Sequence, residues 1–174
     1  MQKRTGAVTF KGNPATLNGP EIKAGDKAPE FKAANTPVST VTLGETPAKA
    51  RLFSVVPSLD TPVCSMQTKT FDRQLADLGD KVACYTVSLD LPFAQKRFCT
   101  ESEIKSMQTL SDAHDGSFGK GYGVLLDGLS IPVLARAVFV VDASGKVTYV
   151  EYVSEVTHEP NYEKAMAALQ AAAA

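Results

Sequence analysis

Apolar residues recur along this chain with two different periods, and the switches between them outline its elements. Ala7–Phe10 and Ala15–Leu17 flank Lys11-Gly12-Asn13-Pro14, which predicts a β-hairpin closed on a Gly-Asn-Pro turn. A loop through Gly25-Asp26-Lys27-Ala28-Pro29 follows. Strands are then predicted at Val38–Leu43 and, past Pro47, at Ala50–Val56, the second a β-rich run suited to burial in a sheet. After Asp60-Thr61-Pro62 the period changes. Cys64, Thr68, Phe71, Leu75 and Leu78 are spaced 4, 3, 4 and 3 apart, one face of an amphipathic helix, with Gly79 as its stop. Val82–Leu89 reads as a second buried strand, Phe93–Phe98 as a short helix opening at Pro92, Met107–Leu110 as a short strand and Asp115–Tyr122 as weakly helical. Ala137–Val141, the turn Asp142–Lys146 and Val147–Val153 form the clearest hairpin, and a last helix runs from about Asn161 to Gln170.

Strand–helix–strand–helix followed by a hairpin and a closing helix predicts an α/β fold with a mixed central sheet flanked by helices. A thioredoxin-like arrangement fits that order. The length of 174 residues suits one domain, so 1–174 is expected to form a single thioredoxin-like unit with 1–18 as an N-terminal β-hairpin extension. A hydrophobic fraction of 44% against 21% charged residues argues for a globular chain rather than a disordered one. Lys and Arg number 18 against 19 Asp and Glu, a net charge of −1, so neither a nucleic acid nor an anionic membrane surface is an expected partner. The opening Met1–Phe10 is positively charged but lacks an apolar core segment, and the apolar stretch Gly123–Val141 is broken by Asp127, Pro132 and Arg136. Neither a signal peptide nor a membrane span is therefore expected, and the cytoplasm is the expected location.

The three cysteines, Cys64, Cys84 and Cys99, carry more information than the charge does. A chain of this size buries enough surface to fold without disulfide staples. No Cys-x-x-Cys pair is present and His114 and His158 stand alone, so no zinc site is expected. Thiol chemistry or inert buried thiols remain. Cys64 follows a buried strand and a loop, with Thr61 placed as a helix N-cap and Pro62 at the first helical position. That puts it in the first turn, where free N–H groups and the positive end of the helix dipole favour a thiolate. An unperturbed thiol (pKa ~8.5) is only about 3% ionised at neutral pH, and reaching about 90% takes roughly 3.4 kcal/mol. A helix terminus supplies about 0.3–1 kcal/mol, up to ~2 in partly buried geometry, so a further cation or several hydrogen bonds are required. Arg136 is a candidate, because it stands just before the apolar run Ala137–Val141, where a charge is expensive unless used or paired. Arg51, opening another strand, is a rival more simply read as a snorkelling cation. On these grounds alone Cys64 is equally readable as a small apolar residue starting a core-facing stripe, and Cys84, inside Val82–Val87, reads as packing.

The run Pro57-Ser58-Leu59-Asp60-Thr61-Pro62-Val63-Cys64 contains Pro-x-x-x-Thr-x-x-Cys and resembles the thiol peroxidase subfamily of atypical two-cysteine peroxiredoxins. Phe10–Pro14, Gly25–Pro29, Asp90–Cys99 and Ala135–Val138 are similar to that subfamily too, in the same order along the chain. The resemblance implies a thioredoxin-dependent peroxidase for hydrogen peroxide and alkyl hydroperoxides, acting in antioxidant defence without a cofactor, as a homodimer. It implies that Cys64 is the peroxidatic cysteine and that Thr61 hydrogen-bonds the substrate or the sulfur. Pro57 would shield the sulfur from water, and Arg136 would stabilise thiolate and developing oxyanion. Cys99 would be the resolving cysteine, in an intrachain disulfide with Cys64. A disulfide needs Cα atoms within about 7 Å. Two cysteines on separate helices are not expected to start so close, so local unwinding is expected. A peroxide sensor using the same switch, and a non-redox binding domain with inert thiols, are the competing readings.

Overall fold

The computed structural model describes all 174 residues. Its strands are β1 (Lys3–Phe10), β2 (Asn13–Asn18), β3 (Lys32–Thr36), β4 (Ser39–Thr42), β5 (Ala50–Val55), β6 (Val82–Ser88), β7 (Gln108–Ser111), β8 (Leu125–Asp127), β9 (Val133–Leu134), β10 (Ala137–Val141) and β11 (Val147–Tyr152). Its α-helices are α1 (Pro62–Leu75), α2 (Pro92–Glu101), α3 (Ser117–Gly121) and α4 (Tyr162–Ala173). Seven strands form the main sheet in the order β11-β10-β5-β6-β7-β3-β4. The central β5, β6 and β7 run parallel, as the crossovers through α1 and α2 require, while the flanking pairs are antiparallel. The expected mixed α/β sheet of thioredoxin type is thus present.

Period-2 alternation divides the core in two. On β5, Phe53 and Val55 face one side, together with Tyr85, Phe118, Tyr122 and Phe139. Leu52 faces the other, with Cys84, Val138 and Val140, and there Phe71 and Leu75 of α1 and Ala165, Met166 and Leu169 of α4 cover the sheet. In the aromatic layer Phe118 and Tyr122 stack at 4.1 Å between ring centroids, and Phe53 and Tyr85 at 5.5 Å.

Two expectations need correction, and three strands were not foreseen. The N-terminal hairpin turns on Lys11-Gly12, both at positive φ (50° and 79°), with Asn13 and Pro14 already inside β2. A two-residue turn with both φ positive matches the twist of the strands. The expected N-terminal hairpin is present and is built into the fold. It pairs through β2 with β8, and β8 with β9, in a second, four-stranded sheet. Short β8 and β9 lie inside the stretch that read simply as apolar, and their two- and three-residue lengths leave no alternation to detect. Strand β3 was unforeseen because its one fully buried residue is Ala33. Finally, α1 ends at Leu75 rather than reaching Leu78, whose N–H bonds back to Leu75 in a tightened turn. No helix is long and apolar enough to cross a membrane.

Phe53 has no exposed surface and contacts aromatic rings from three segments. Phe53→Ala is expected to cost about 3–5 kcal/mol, a fall in Tm of roughly 10 °C in thermal melts. A shift under about 2 °C would show that the aromatic layer collapses around the gap.

Candidate active site

The central strand β5 ends at Val55, and the loop Val56–Asp60 carries the chain into α1. Thr61 is the N-cap and Pro62 takes the first helical position, as expected, although the Thr61 side chain caps nothing. Its hydroxyl donates instead to the Ser58 carbonyl oxygen at 2.9 Å, which leaves its lone pairs to accept from a ligand. Asp90, after β6, holds this loop from the other side: its carboxylate accepts from the Ser58 hydroxyl (2.7 Å), the Leu59 N–H (2.8 Å) and the Ser88 hydroxyl (2.8 Å).

Cys64 lies in the first turn of α1 with no exposed surface, packed with Val56, Leu59 and Phe98. Arg136 reaches it from between β9 and β10. β10 pairs antiparallel with β5 so that Ala137 stands opposite Val55, which sets Arg136 at the end of β5 where the Cys64 loop begins. The guanidinium is 3% exposed. It donates through Nε to the Val156 carbonyl (2.8 Å), through one terminal nitrogen to Gln67 Oε1 (2.9 Å) and through the other to Cys64 Sγ (3.5 Å). The Gln67 amide in turn donates to Ser54 Oγ at 2.7 Å. None of the ion pairs in the protein involves Arg136. Two of its three hydrogen-bond partners are neutral oxygens and the third is the Cys64 sulfur, so no carboxylate offsets this buried cation. Arg51 stands at the opposite end of β5, bonded to Thr46 Oγ1 (3.1 Å) and the Asp142 carbonyl (2.7 Å), and takes no part in this site.

A pocket of about 410 Å³ opens beside this group, lined by Pro57, Thr61, Val63, Arg136, Val156 and the hairpin tip Phe10-Lys11. Pro57, Thr61 and Arg136 thus line one pocket, and Arg136 also reaches the Cys64 sulfur. Glu155 fixes the hairpin over the pocket. Its carboxylate accepts from Thr9 Oγ1 (2.7 Å), the N–H groups of Lys11 (2.9 Å) and Gly12 (3.0 Å), and Thr157 Oγ1 (2.8 Å). These donors, the Thr9 hydroxyl foremost, hold it far below the usual carboxylate range.

Cys99 sits in the last turn of α2, half-buried, at the fringe of the Cys64 cluster. Burial and then the Asp72 charge push its thiol up. It is not bonded to Cys64. Cys84 faces the α1/α4 layer on β6, where burial pushes its thiol up to about 12, in keeping with a packing role. Gln67, Asp90, Glu155 and the Val156 carbonyl escaped the sequence reading. For Gln67 a signal exists: a polar side chain three residues after Cys64 and one before Thr68 falls on the buried stripe of α1.

The Redoxin family model matches residues 23–166. The chain is 55% identical over 166 residues to a thiol peroxidase of Halalkalibacterium halodurans, covering 95% of this chain and 98% of that one. It is 49% identical to the Bacillus subtilis thiol peroxidase, covering 94% and 96%. A peroxiredoxin-like protein from Aquifex aeolicus superposes with a TM-score of 0.89 at 42% identity, covering 97% of both chains. An α/β sheet of thioredoxin type that sets a buried cysteine against an arginine is a redoxin architecture, and the chain belongs to the Redoxin family. Within it, the activity is that of a thiol-dependent peroxidase of the peroxiredoxin type.

Lysine is unable to span three acceptors with one planar fork. Arg136→Lys is therefore expected to lower the second-order rate of reaction with peroxide roughly 100-fold, and Gln67→Leu about tenfold, in stopped-flow measurements. A wild-type rate in Arg136→Lys would show that a positive charge alone suffices and that the planar fork is dispensable.

Proposed function

We propose that the protein reduces hydrogen peroxide and alkyl hydroperoxides at Cys64, is resolved by Cys99 as an intrachain disulfide, and is returned to the dithiol by thioredoxin. The observation that carries the reading is the buried Arg136 guanidinium against Cys64 Sγ, beside an open pocket. The Cys64 thiolate attacks the terminal peroxide oxygen, an S–O bond forms, the O–O bond breaks, and the departing alkoxide or hydroxide takes up a proton. Arg136 faces the charge both as thiolate and as it moves to the leaving oxygen. Thr61, its proton committed to Ser58, accepts from the peroxide O–H. Pro57 limits water at the sulfur, in line with the absence of exposed surface on Cys64. The pocket volume of about 410 Å³ far exceeds the ~30 Å³ share of one water molecule and supports substrates with an organic substituent.

Thiols suffice for this cycle, so no cofactor is invoked. Antioxidant defence in the cytoplasm, by one thioredoxin-like domain over 1–174, is the corresponding cellular reading. Exposed Met66, Leu91 and Phe93, on α1 and at the start of α2, are apolar enough to support a homodimer. Cycling with a reductant separates an enzyme from a sensor that is oxidised once.

The cysteine variants give a distinct pattern. Cys64→Ser is expected to abolish peroxide consumption. Cys99→Ser turns over once and then stalls or over-oxidises, and Cys84→Ser is nearly silent. Peroxide consumption coupled to a thioredoxin system, with thiol titration and disulfide mapping after one equivalent of hydroperoxide, checks each. Loss of activity in a normally folded Cys84→Ser would refute the assignment.

A further inference from the structure

Asp72 lies on α1, one residue after the core-facing Phe71 and eight after Cys64. Its carboxylate holds a stretch of chain that belongs to the other cysteine. Oδ1 accepts the consecutive N–H groups of Lys105 (3.0 Å), Ser106 (2.6 Å) and Met107 (2.9 Å), and Oδ2 lies 3.2 Å from the first. Charge-assisted bonds of this kind are roughly twice as strong as neutral ones. Met107 is buried beneath α1 and leads directly into β7.

Upstream of Lys105 the segment has a different support. The exit of α2 is closed by its own bonds, Ser102 N–H to the Phe98 carbonyl (2.9 Å), Glu103 N–H to Thr100 (3.3 Å) and Ile104 N–H to Cys99 (3.0 Å). Glu103 takes a left-handed φ of 52°, which a non-glycine residue adopts at some cost. A cleft of about 480 Å³ runs between α1 and Ser102–Ser106, so this turn is unpacked on one side. The chain therefore changes character at Lys105: locally bonded and open before it, tied to the Cys64 helix from there on.

We propose that Asp72 is a positioning residue for the resolving step, a hinge pin that fixes Lys105–Met107 to α1 so that, on the Cys99 side, opening stops at the exit turn of α2 when the two cysteines meet. This rests on the reading of Cys64 and Cys99 as the disulfide pair. Cys99 and Lys105 are six residues apart, a reach of about 20 Å when extended. Eight residues of α1 separate Cys64 from Asp72, about 12 Å of helix. Unwinding that stops at the pin thus gives Cys99 enough chain to arrive, while β7 keeps its place and the free segment stays short. In the step itself the Cys99 thiolate attacks the Cys64 sulfenic sulfur. The S–S bond forms, the S–O bond breaks, and hydroxide leaves to combine with the proton from Cys99 as water. Burial and the Asp72 charge, which hold the Cys99 thiol up in the docked helix, are both relieved by the same movement.

Hydrogen exchange on the dithiol and disulfide forms of the wild-type protein tests the boundary. Residues from about Arg97 to Ile104 are expected to lose protection on oxidation while Lys105–Met107 and β7 keep theirs. Loss at Lys105–Met107 in the disulfide form would overturn the proposal. In single-turnover stopped flow, Asp72→Ala is expected to lower the ratio of disulfide closure to sulfenic acid formation about threefold, the cost of doubling the free segment. The yield of sulfinic acid in excess peroxide rises in step, and Asp72→Asn, which keeps the Oδ1 acceptor, restores most of the loss. Closure in Asp72→Ala that is unchanged or faster overturns the hinge while leaving the cysteine pair intact. Failure of wild-type protein to form the Cys64–Cys99 disulfide with one equivalent of peroxide overturns the pairing, and the hinge with it.

Discussion

A buried guanidinium with no carboxylate partner is the constraint around which the rest of this molecule is arranged. Arg136 spends two of its hydrogen bonds on neutral oxygens, the Val156 carbonyl and the Gln67 side chain, and the third on Cys64 sulfur. Removing such a charge from water costs several kcal/mol, and neutral acceptors return only part of that. The remainder is available to any negative charge that forms at the sulfur, first on the thiolate and then on the oxygen leaving it. Reactivity in this fold is therefore held as an electrostatic imbalance in the resting protein. The surrounding polar chain, Ser54 to Gln67 to Arg136, aligns the guanidinium without neutralising it.

Carboxylates have been assigned the opposite duty. Asp90, Glu155 and Asp72 each gather several hydrogen-bond donors, and each ties together segments distant in sequence. Asp90 fixes the loop that presents Cys64, and Glu155 fixes the hairpin that forms a wall of the pocket. Asp72 fixes the chain beyond Cys99. None of these carboxylates forms an ion pair with Arg136, and their charge goes to backbone geometry instead. The same scheme accounts for a fold that is rigid around one cysteine and loosely closed around the other. Cys64 is enclosed by packed side chains, whereas Cys99 is half-buried in a helical turn whose exit carries local bonds and the packing of Ile104.

Some of this was legible along the chain and some was not. The helix stripe from Cys64 to Leu75, the Thr61-Pro62 start of α1, the buried strands β5, β6 and β10, and the Pro92 start of α2 follow from local periodicity and capping chemistry. The Pro57–Cys64 run marked the site itself. The pairing of the N-terminal hairpin with β8, and β9 behind it, left no such trace, because strands of two or three residues carry no period. Gln67 was visible only as a polar residue on an apolar stripe.

By itself, then, the sequence determined the longer helices and strands, that Cys64 opens a helix, and that Cys84 lies inside a buried strand, since these depend on residues within a turn or two. Tertiary structure decided which cation meets the sulfur. Arg51 and Arg136 both stand beside apolar strand segments, and only the antiparallel register of β10 on β5 carries Arg136 to the end where Cys64 lies, 72 residues away in sequence. It likewise decided that Glu155 holds the hairpin whose tip, Phe10-Lys11, lines the pocket, and that Asp72 holds the chain beyond Cys99. Contacts at such separations are set by strand order and burial, which act through the whole sheet, and no local pattern encodes them.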